Sequence, residues 1–548
     1  MTASNPADMS LTRRDLLKAG GALAVAASVP AVATAQTPKR GGTLRMTVLS
    51  DPLHFDPHQT LSFVTMIPLS FAYSRLVKVK AGPNVRPMTY PIEPDLAESW
   101  TQPNDTTYIF KLKKGVRWHN KPPVNGRELT ADDIKYTYER FLSIPGNANK
   151  PVLEYVDRIE AVDKHTVKFT LKEPNAWFLD LLASTSTWII ARECVEKFGD
   201  LKKVESVVGT GPWMLERWEP NVKLAYVRNP NYFVSGLPYA DGVELLIDKD
   251  PSSRLASWLS GKTDFGPEYQ HAVRWLDAPV ARQRKPGLQT AEYTWFTSGS
   301  TGFKLANPPF NDLRVRRALS RASNLAELFE SLAFSQGHWT PNPAVPAAFA
   351  EWSIPIDQLG PEGRKLYEFS TADAKRLLAE AGHPNGFKTT VEAPSVVYGP
   401  DFDDFVQITL KNWKAAGIEA DLKLKEYGAF ITSTIFGKFD NMFLGLRGAW
   451  ADPEAYFYRW YMPGQPLNVW GVNDPKLTDM IRLQRRTFDV AKRKQVVFDI
   501  QRYLADQALF GVDGSIKILS AWDAHIKNYG PNNGFDYGGR LMAAWIDR

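Results

Sequence analysis

A dense run of aromatic side chains around a carboxylate is the part of this sequence best suited to binding a ligand. Residues 447–461 read RGAWADPEAYFYRWY, and Trp470 follows. Flat rings offer large, rigid contact surfaces, and an acidic side chain among them can anchor a cationic or hydroxylated ligand. Glycine, proline and aspartate interrupt the run and break any regular buried period. The segment therefore predicts a ligand-contacting wall, although a place in the core remains the alternative for any single ring.

The residue pattern gives little support to enzyme chemistry. The sequence contains no phosphate-binding loop, dinucleotide fingerprint, zinc-protease helix or nucleophile elbow. An exported glycoside hydrolase is the alternative from a different class, with Asp452 and Glu454 as its carboxylate pair. Two positions apart at a helix start, these side chains would diverge rather than face each other across a substrate. A binding protein without catalytic residues is therefore the preferred hypothesis.

Metal and cofactor chemistry is also weakly indicated. The eight histidines are scattered, and Cys194 is the only cysteine, which excludes an internal disulfide and paired-cysteine metal sites. The acidic cluster Asp401, Asp403 and Asp404 lacks the glycine and the spaced oxygen ligands of a calcium loop. It is expected in a solvated loop or at a helix start. We expect no cofactor and no metal.

Composition limits the class of protein further. The chain has 548 residues, 44% of them hydrophobic and 12% aromatic, which is enough for a large core divided into about three or four lobes. No charge-free apolar run reaches the roughly 18 residues that a membrane-spanning helix needs. The net charge is +6, but acidic and basic residues are interspersed and no nucleic-acid-binding motif is present. Nucleic-acid binding and a multi-spanning membrane protein are therefore disfavoured.

The first 35 residues have the pattern of an export signal. The sequence TRRDLLK at 12–18 precedes a charge-free, alanine-rich stretch at 19–32, and the small residues Ala-Thr-Ala follow at 33–35. This pattern predicts a twin-arginine signal at 1–35, cleaved near Ala35, with the twin-arginine export machinery as a partner. Because no cysteine follows the cleavage site, we expect a periplasmic protein without a lipid anchor. An uncleaved apolar helix is the alternative.

Strand and helix patterns are mixed along the rest of the chain. Apolar side chains at every second position predict strands at 44–48, 108–112 and 167–171. Capping signals predict helices after Thr130 and Ser370, and helical spacing predicts two more between 475 and 507. The basic residues of this last segment are expected on a solvated face; they are Arg485, Arg486, Lys492, Arg493 and Lys494.

Taken in order, a series of short motifs resembles a known family. The series includes GGTL at 41–44, PDLAESW at 94–100, VRWH at 116–119, GTGPW at 209–213, RNPNY at 228–232, PFNDLRVRRA at 309–318 and LLAEAG at 377–382. With this ordered set, the chain from residue 41 to its end resembles the periplasmic substrate-binding proteins of peptide-type ABC importers. That family includes oligopeptide, dipeptide and nickel-complex receptors. The motifs specify scaffold more than chemistry.

The resemblance implies an α/β fold of the periplasmic binding protein type, with two large lobes hinged around a ligand cleft and a third, smaller lobe. Projected on this chain, lobe I comprises 41–80, 190–296 and 508–548, lobe II 81–189 and lobe III 297–507. The ligand would lie between lobes I and III, and hinge closure would bury it. The implied partners are a small-molecule or peptide ligand and the membrane permease of an ABC importer. We expect a monomer.

The resemblance also implies which side chains contact the ligand. Asp452 matches the carboxylate that pairs with the α-ammonium group of a peptide, a contact that fixes orientation because an unpaired buried charge is costly. Alternatively, Asp452 caps the following helix, since Asp-Pro-Glu is a good helix start. Family wall positions are matched by Gly448, Trp450, Tyr427, Tyr293 and Trp295. Tyr456, from the aromatic run, and Arg447, which could meet a ligand carboxylate, complete the candidate set.

The solute itself stays open. The segment FGVDG at 510–514 lacks the proline and tyrosine that peptide receptors often show on that wall. No histidine occurs between Glu392 and Arg502, which disfavours the nickel-complex branch. Besides small peptides, opines and oligosaccharides remain alternatives, because tryptophan-rich walls also suit sugar stacking.

Overall fold

The computed structural model of this chain describes residues 37–295, 299–333, 338–395, 398–446 and 452–548. Contacts divide the chain into two units, Met1–Pro38 and Lys39–Arg548. Almost all of the first unit, including the predicted signal, lies outside the described residues. No helix in the described ranges combines the length and the apolar composition needed to cross a membrane.

Short strands with buried alternate residues form the sheets of the second unit. In chain order they are β1 (Thr43–Val48), β2 (Val77–Val79), β3 (Ile92–Pro94), β4 (Ala97–Asn104), β5 (Thr107–Leu112), β6 (Val156–Asp163), β7 (Thr166–Leu171), β8 (Trp213–Glu219), β9 (Lys223–Arg228), β10 (Gly242–Ile247), β11 (Ala272–Val273), β12 (Gln289–Thr294), β13 (Gly299–Phe303), β14 (Trp339–Asn342), β15 (Phe387–Pro394), β16 (Ile418–Lys425), β17 (Met442–Leu446), β18 (Asp513–Trp522), β19 (Ile526–Lys527) and β20 (Trp545–Ile546). The three strands predicted from alternation are confirmed as β1, β5 and β7, with their apolar residues buried.

The strands pair into mixed and antiparallel sheets. The larger sheets have the orders β1-β10-β9-β8, β4-β5-β7-β6, β13-β17-β15-β16 and β11-β18-β12, and β14 also pairs with β18. The β1–β10, β15–β16 and β15–β17 pairs are parallel. Parallel neighbours require crossover connections, which helices supply here as in other α/β folds.

Helices cover these sheets. They are α1 (Phe63–Leu69), α2 (Ala131–Ser143), α3 (Phe178–Leu182), α4 (Arg192–Phe198), α5 (Pro251–Leu259), α6 (Ala278–Arg284), α7 (Leu313–Arg321), α8 (Leu325–Ala333), α9 (Pro361–Lys365), α10 (Thr371–Glu380), α11 (Pro400–Ala415), α12 (Tyr427–Thr432), α13 (Ala455–Tyr461), α14 (Pro475–Arg486), α15 (Val490–Asp506) and α16 (Tyr537–Leu541). The cap predicted at Thr130 is present as a reciprocal capping box with Asp133, and Ser370 caps α10 through the Asp373 N–H. The two helices predicted between 475 and 507 are α14 and α15.

One long strand joins elements that are far apart in sequence. The first half of β18 pairs with β14, and its second half pairs with β11 and β12. Where β12 ends, the Trp295 N–H donates to the carbonyl of Ile516 at 2.8 Å. The chain therefore leaves the β12 region and returns to it through two hydrogen-bonded neighbouring segments.

Two histidines are fully buried in the core formed by the first part of the chain. His119 accepts at Nδ1 from the Gly209 N–H (3.2 Å) and contacts the Gly211 carbonyl through Nε2 (3.1 Å). His58 lies between the Arg140 guanidinium at Nδ1 (2.9 Å) and the Trp188 carbonyl at Nε2 (2.9 Å). Each ring thus accepts a hydrogen bond at one nitrogen and donates one at the other, which is the pattern of neutral imidazole. Burial lowers the pKa of both rings to about 4.

These histidines predict a loss of stability in mild acid. An unfolded histidine takes up a proton near pH 6.5, whereas His58 and His119 resist it until about pH 4. At these two sites the unfolded state therefore binds more protons, and their contribution to the free energy of unfolding falls as the pH drops from about 6.5 to about 4. Thermal unfolding followed by circular dichroism across this range measures the effect.

The matched variant is His119→Gln, which should have a shallower pH dependence than the parent. The control is Gln102→Asn on the exposed part of β4, which removes no titratable group and should keep the parent's pH dependence. A His119→Gln variant whose melting temperature depends on pH as strongly as the parent's would contradict the assignment of a neutral His119 ring.

Candidate functional site

A cavity of about 280 Å³ lies between the β18 sheet and the start of α11. One wall comes from residues within 49–66, 251–275 and 514–518, and the facing wall from residues within 398–405, 427–435 and 446–467. Asn149 and Ser184–Ser186 close one side. The first wall belongs to the segments predicted for lobe I and the facing wall to those predicted for lobe III. The volume is near the lower end of pockets that enclose small molecules.

Aromatic rings form a continuous surface across the cavity. The ring centroid of Phe63 is 5.2 Å from that of Tyr269, 6.5 Å from Tyr398 and 6.0 Å from Tyr427. Tyr398 and Tyr427 are 5.8 Å apart, and Tyr269 is 5.9 Å from Trp295. The Ser62 and Tyr427 hydroxyls add a polar contact of 3.1 Å between the walls. Such a surface suits flat or apolar groups of a ligand.

A strained turn holds Tyr269 in this wall. The next two residues, Gln270 and His271, have φ angles of 62° and 55°, in the left-handed region that non-glycine residues rarely adopt. Buried hydrogen bonds fix the turn: the Gln270 N–H donates to the Tyr537 hydroxyl (2.7 Å), and His271 Nδ1 contacts the Tyr529 hydroxyl (2.7 Å). Strain of this kind persists only where surrounding contacts over-determine the backbone. The turn therefore presents Tyr269 in a preset position.

The charged side chains that line the described walls are paired with one another or with close neighbours. Arg254 donates to Glu268 at 2.6 Å, and Arg274 donates to Asp401 at 2.7 Å. Lys517 lies 3.4 Å from Glu292. Burial raises the pKa values of Glu268 and Asp401 above the usual carboxyl range, although the neighbouring arginines oppose the shift. The Arg274–Asp401 pair joins the two walls.

The structure brings only some of the predicted ligand-contacting residues to the cavity. Trp295 and Tyr427 line it. Tyr293, Tyr456 and Asp452 are buried and are not among the described residues that line it. Arg447, Gly448 and Trp450 lie outside the described residues. For all eight predicted residues, the contact with a ligand remains a prediction.

Asp452 occupies a buried charged cluster at the start of α13. Its Oδ1 accepts from the Ala455 N–H at 2.8 Å, so the capping alternative is present in the structure. Burial raises the pKa of Asp452, and the charges of Arg459 and Arg485 oppose the rise. Arg459 also donates to Asn149, a cavity-lining residue, at 3.4 Å. The cluster is therefore adjacent to the cavity.

The prediction of a solvated basic face is wrong for Arg485 and Arg493. Both side chains are buried. Arg485 stacks 3.7 Å from the ring centre of Tyr458 and lies 3.1 Å from Glu454, and Arg493 lies 4.6 Å from the ring centre of Trp177. Aromatic faces and a carboxylate replace water around these cations.

This cluster also bears on the glycosidase alternative. Burial raises the pKa of Glu454 to about 7, and Arg485 lies beside it. Neither Asp452 nor Glu454 is among the described residues that line the cavity. A carboxylate pair that flanks a substrate is therefore not formed by these two side chains.

Several cavity-lining residues are not predicted from the sequence. They are Phe63, Tyr269, Arg274, Tyr398, Phe402 and Lys517. Each sits in a different local pattern, and only the tertiary fold brings them together. Asp401 lies in the first turn of α11, which agrees with the helix start that was one of the two expectations for the acidic cluster. Its side chain also lines the cavity and pairs with Arg274.

A cavity between two walls on mixed sheets is the arrangement of a solute-binding protein of the periplasmic type. Residues 91–467 match the family described as bacterial extracellular solute-binding proteins, family 5 Middle. The chain belongs to this family of solute-binding proteins for ABC importers, which confirms the resemblance and the two-lobed α/β fold class.

Individual relatives agree with this assignment. The chain is 27% identical over 441 residues to di/tripeptide-binding protein 1 of Pseudomonas aeruginosa, covering 76% of this chain and 79% of the relative. Its fold is similar to that of the Helicobacter pylori periplasmic binding protein DppA in complex with the peptide STSA (TM-score 0.80, 22% identity, 93% of this chain and 99% of that one). It is also similar to AgaA from A. tumefacien R10 in complex with agropinic acid (TM-score 0.78, 21% identity, 92% and 99% covered).

The Arg274–Asp401 pair predicts a small coupling between the cavity walls. Their side chains are 25% and 38% exposed, so a double-mutant cycle of Arg274→Gln and Asp401→Asn should give a coupling of about 0.2–1 kcal/mol. Each single variant should also raise the radius of gyration of the ligand-free protein, because one link between the walls is lost. Urea unfolding and small-angle X-ray scattering measure the two effects.

The matched control is the exposed Arg376–Glu380 pair, one turn apart on α10. Arg376→Gln and Glu380→Gln should leave the radius of gyration unchanged. A coupling of zero together with an unchanged radius in the Arg274 and Asp401 variants would remove this pair as a link between the walls.

Proposed function

We propose that this protein is a periplasmic receptor that captures a small peptide or peptide-like solute by hinge closure and delivers it to the permease of an ABC importer. The observation that carries the proposal is the cavity between two walls in a family 5 fold. The relatives named for di- and tripeptides support a solute of that size. Closure then depends on contacts that the solute makes with both walls.

The hinge in this proposal lies where the chain crosses between predicted lobes I and III. The first crossing falls at the end of β12 and the second precedes β18, and the Trp295–Ile516 hydrogen bond joins the end of β12 to β18. A small change in backbone angles at two adjacent segments can rotate one lobe against the other without breaking either core. This geometry supports lobe boundaries near 296/297 and 507/508.

Asp452 is proposed as the anchor for the ammonium group of the solute. Its raised pKa indicates that the neighbouring arginines do not fully offset the cost of burying its charge. A cation that arrives next to it would offset this cost and would lower the pKa. The proposal thus assigns Asp452 two roles, as a helix cap and as an ion-pair partner.

Export and monomeric state are part of the same proposal. The twin-arginine pattern at 12–18 supports transport of the chain to the periplasm, with removal of the signal near Ala35. Mass measurement of the exported protein tests the cleavage. No catalytic role is proposed for any residue.

An opine is the second candidate solute. The similarity of the fold to AgaA with agropinic acid supports it. Like a peptide, such a solute would need an enclosed cavity with polar and apolar contacts. The mass of the bound solute distinguishes a peptide from an opine.

Native mass spectrometry of the exported protein tests the proposed function. We expect a bound mass that is released on mild denaturation and whose fragments identify di- or tripeptides. A single opine or sugar mass would retain the receptor and replace the solute. A protein that carries no ligand and shows no thermal shift with any peptide, opine or sugar in a screen would contradict the receptor function.

Asp452→Ala tests the anchor. We expect the affinity for peptides with a free α-ammonium group to fall by about tenfold or more, because a charge-assisted hydrogen bond is lost. Affinity for the same peptides with an acetylated amino group should change much less. Isothermal titration calorimetry measures both, and circular dichroism checks that the variant folds.

Asp452→Asn is the second variant, since it can retain the cap to Ala455 and removes only the charge. Asp499→Asn on the exposed face of α15 is the control and should bind as the parent does. If Asp452→Asn binds free and acetylated peptides as the parent does, Asp452 is not the anchor.

A further inference from the structure

Two neighbouring ring donors in the cavity wall, the Trp295 Nε1–H and the Tyr269 hydroxyl, are buried and have no acceptor within the described part of the chain. A third buried donor of this wall without an acceptor, the Nε–H of Arg274, belongs to a guanidinium that pairs with Asp401 through Nη2. The two rings are neighbours, with centroids 5.9 Å apart. A buried donor without a partner costs free energy that an incoming acceptor can recover.

Nearby protein groups are already engaged elsewhere. The Gln270 side chain donates to the Gly534 carbonyl at 3.0 Å and accepts from Arg540 at 2.9 Å. The other indole in this wall, Trp275, donates to the Lys517 carbonyl at 2.7 Å. Gln270 also contacts the Tyr269 hydroxyl, but no described group accepts a hydrogen bond from that hydroxyl or from the Trp295 Nε1–H. An acceptor on the solute can therefore take this place, and the turn at Gln270 and His271 fixes the position of Tyr269.

The rest of the described cavity wall favours an apolar solute surface. Phe63, Tyr398 and Tyr427 continue the ring surface from Tyr269. The charged groups of these walls are paired within the protein, so a charged side chain of the solute would find its counter-charge already occupied. Burying such a charge without a partner is unfavourable.

We propose that Trp295 and Tyr269 form a subsite for an oxygen acceptor, and that the cavity selects solutes whose side chains are aromatic or strongly apolar. This inference rests on the proposed function and names its substrate class. The Trp295 Nε1–H and the Tyr269 hydroxyl donate to a carbonyl or carboxylate oxygen of the solute. The ring surface of Phe63, Tyr398 and Tyr427 contacts the aromatic side chain.

Calorimetric titration with three dipeptides tests the selection: leucyl-phenylalanine, glycyl-glycine and lysyl-glutamate. We expect leucyl-phenylalanine to bind at least about tenfold more tightly than the other two, because a buried phenylalanine side chain adds a large apolar contact. Tyr269→Phe removes only the hydroxyl and should weaken leucyl-phenylalanine binding by about three- to tenfold. Trp295→Phe removes the other donor and should weaken it at least as much.

The matched controls remove the same groups away from the cavity. Tyr503→Phe removes a hydroxyl bonded to Asp474, and Trp218→Phe removes an indole donor bonded to Asp51. Both should bind as the parent does. Circular dichroism of all four variants excludes unfolding as the cause of a loss.

The outcomes separate this inference from the proposed function. Equal affinity for the three dipeptides, or parent-like affinity in both Tyr269→Phe and Trp295→Phe, overturns the subsite while the receptor function stands. Preference for lysyl-glutamate does the same. Binding of no dipeptide together with no ligand in the mass spectrum overturns both.

Discussion

Polar groups that the cavity removes from water need hydrogen-bond partners. This requirement governs the site. Arg254 with Glu268 and Arg274 with Asp401 meet that need inside the protein. The ring surface around Phe63 contributes apolar area that needs no pairing. Among the donors that remain unpaired in the described walls are the neighbouring Trp295 Nε1–H and Tyr269 hydroxyl. In the proposed subsite the solute supplies the missing hydrogen-bond acceptors. The unpaired donors of the protein therefore determine which solute chemistry fits.

The strand β18 and the strands paired with it form most of one cavity wall. It pairs with β11, which follows the strained turn of Tyr269, with β12, which leads to Trp295, and with β14. Register along a single strand therefore fixes the separation of side chains that are far apart in sequence. The same strand begins directly after the return crossing, so the wall and the proposed hinge share one element. Motion at the hinge is thereby coupled to the position of the site.

Local sequence patterns predicted the scaffold far better than the site. Alternation in β1 and the box at Thr130 depend on near neighbours, and both are confirmed. Trp295 and Tyr427 came from the family resemblance and line the cavity. Tyr269 had no local signal, because a turn at positive φ between distant strands places it. The prediction for Arg485 was wrong for a related reason. Its sequence neighbours are those of an exposed helix, whereas the side chains that surround it come from elsewhere: Tyr458 lies on α13 and Glu454 directly precedes α13.

Scaffold and solute recognition depend on separate sets of residues in this chain. A Cβ atom on Gly209 would lie 1.9 Å from the Ala72 carbonyl oxygen, and one on Gly211 would lie 2.5 Å from the Ala72 carbonyl carbon. These glycines of the GTGPW motif allow two backbones to touch, and they contact no part of the cavity. Side chains such as Tyr269 and Tyr398 can change without disturbing that packing. A fold that holds a peptide in one solved relative and an opine in another is consistent with this separation. Family membership thus fixes how a solute is enclosed, whereas the unpaired groups and rings of the cavity decide which solute it is.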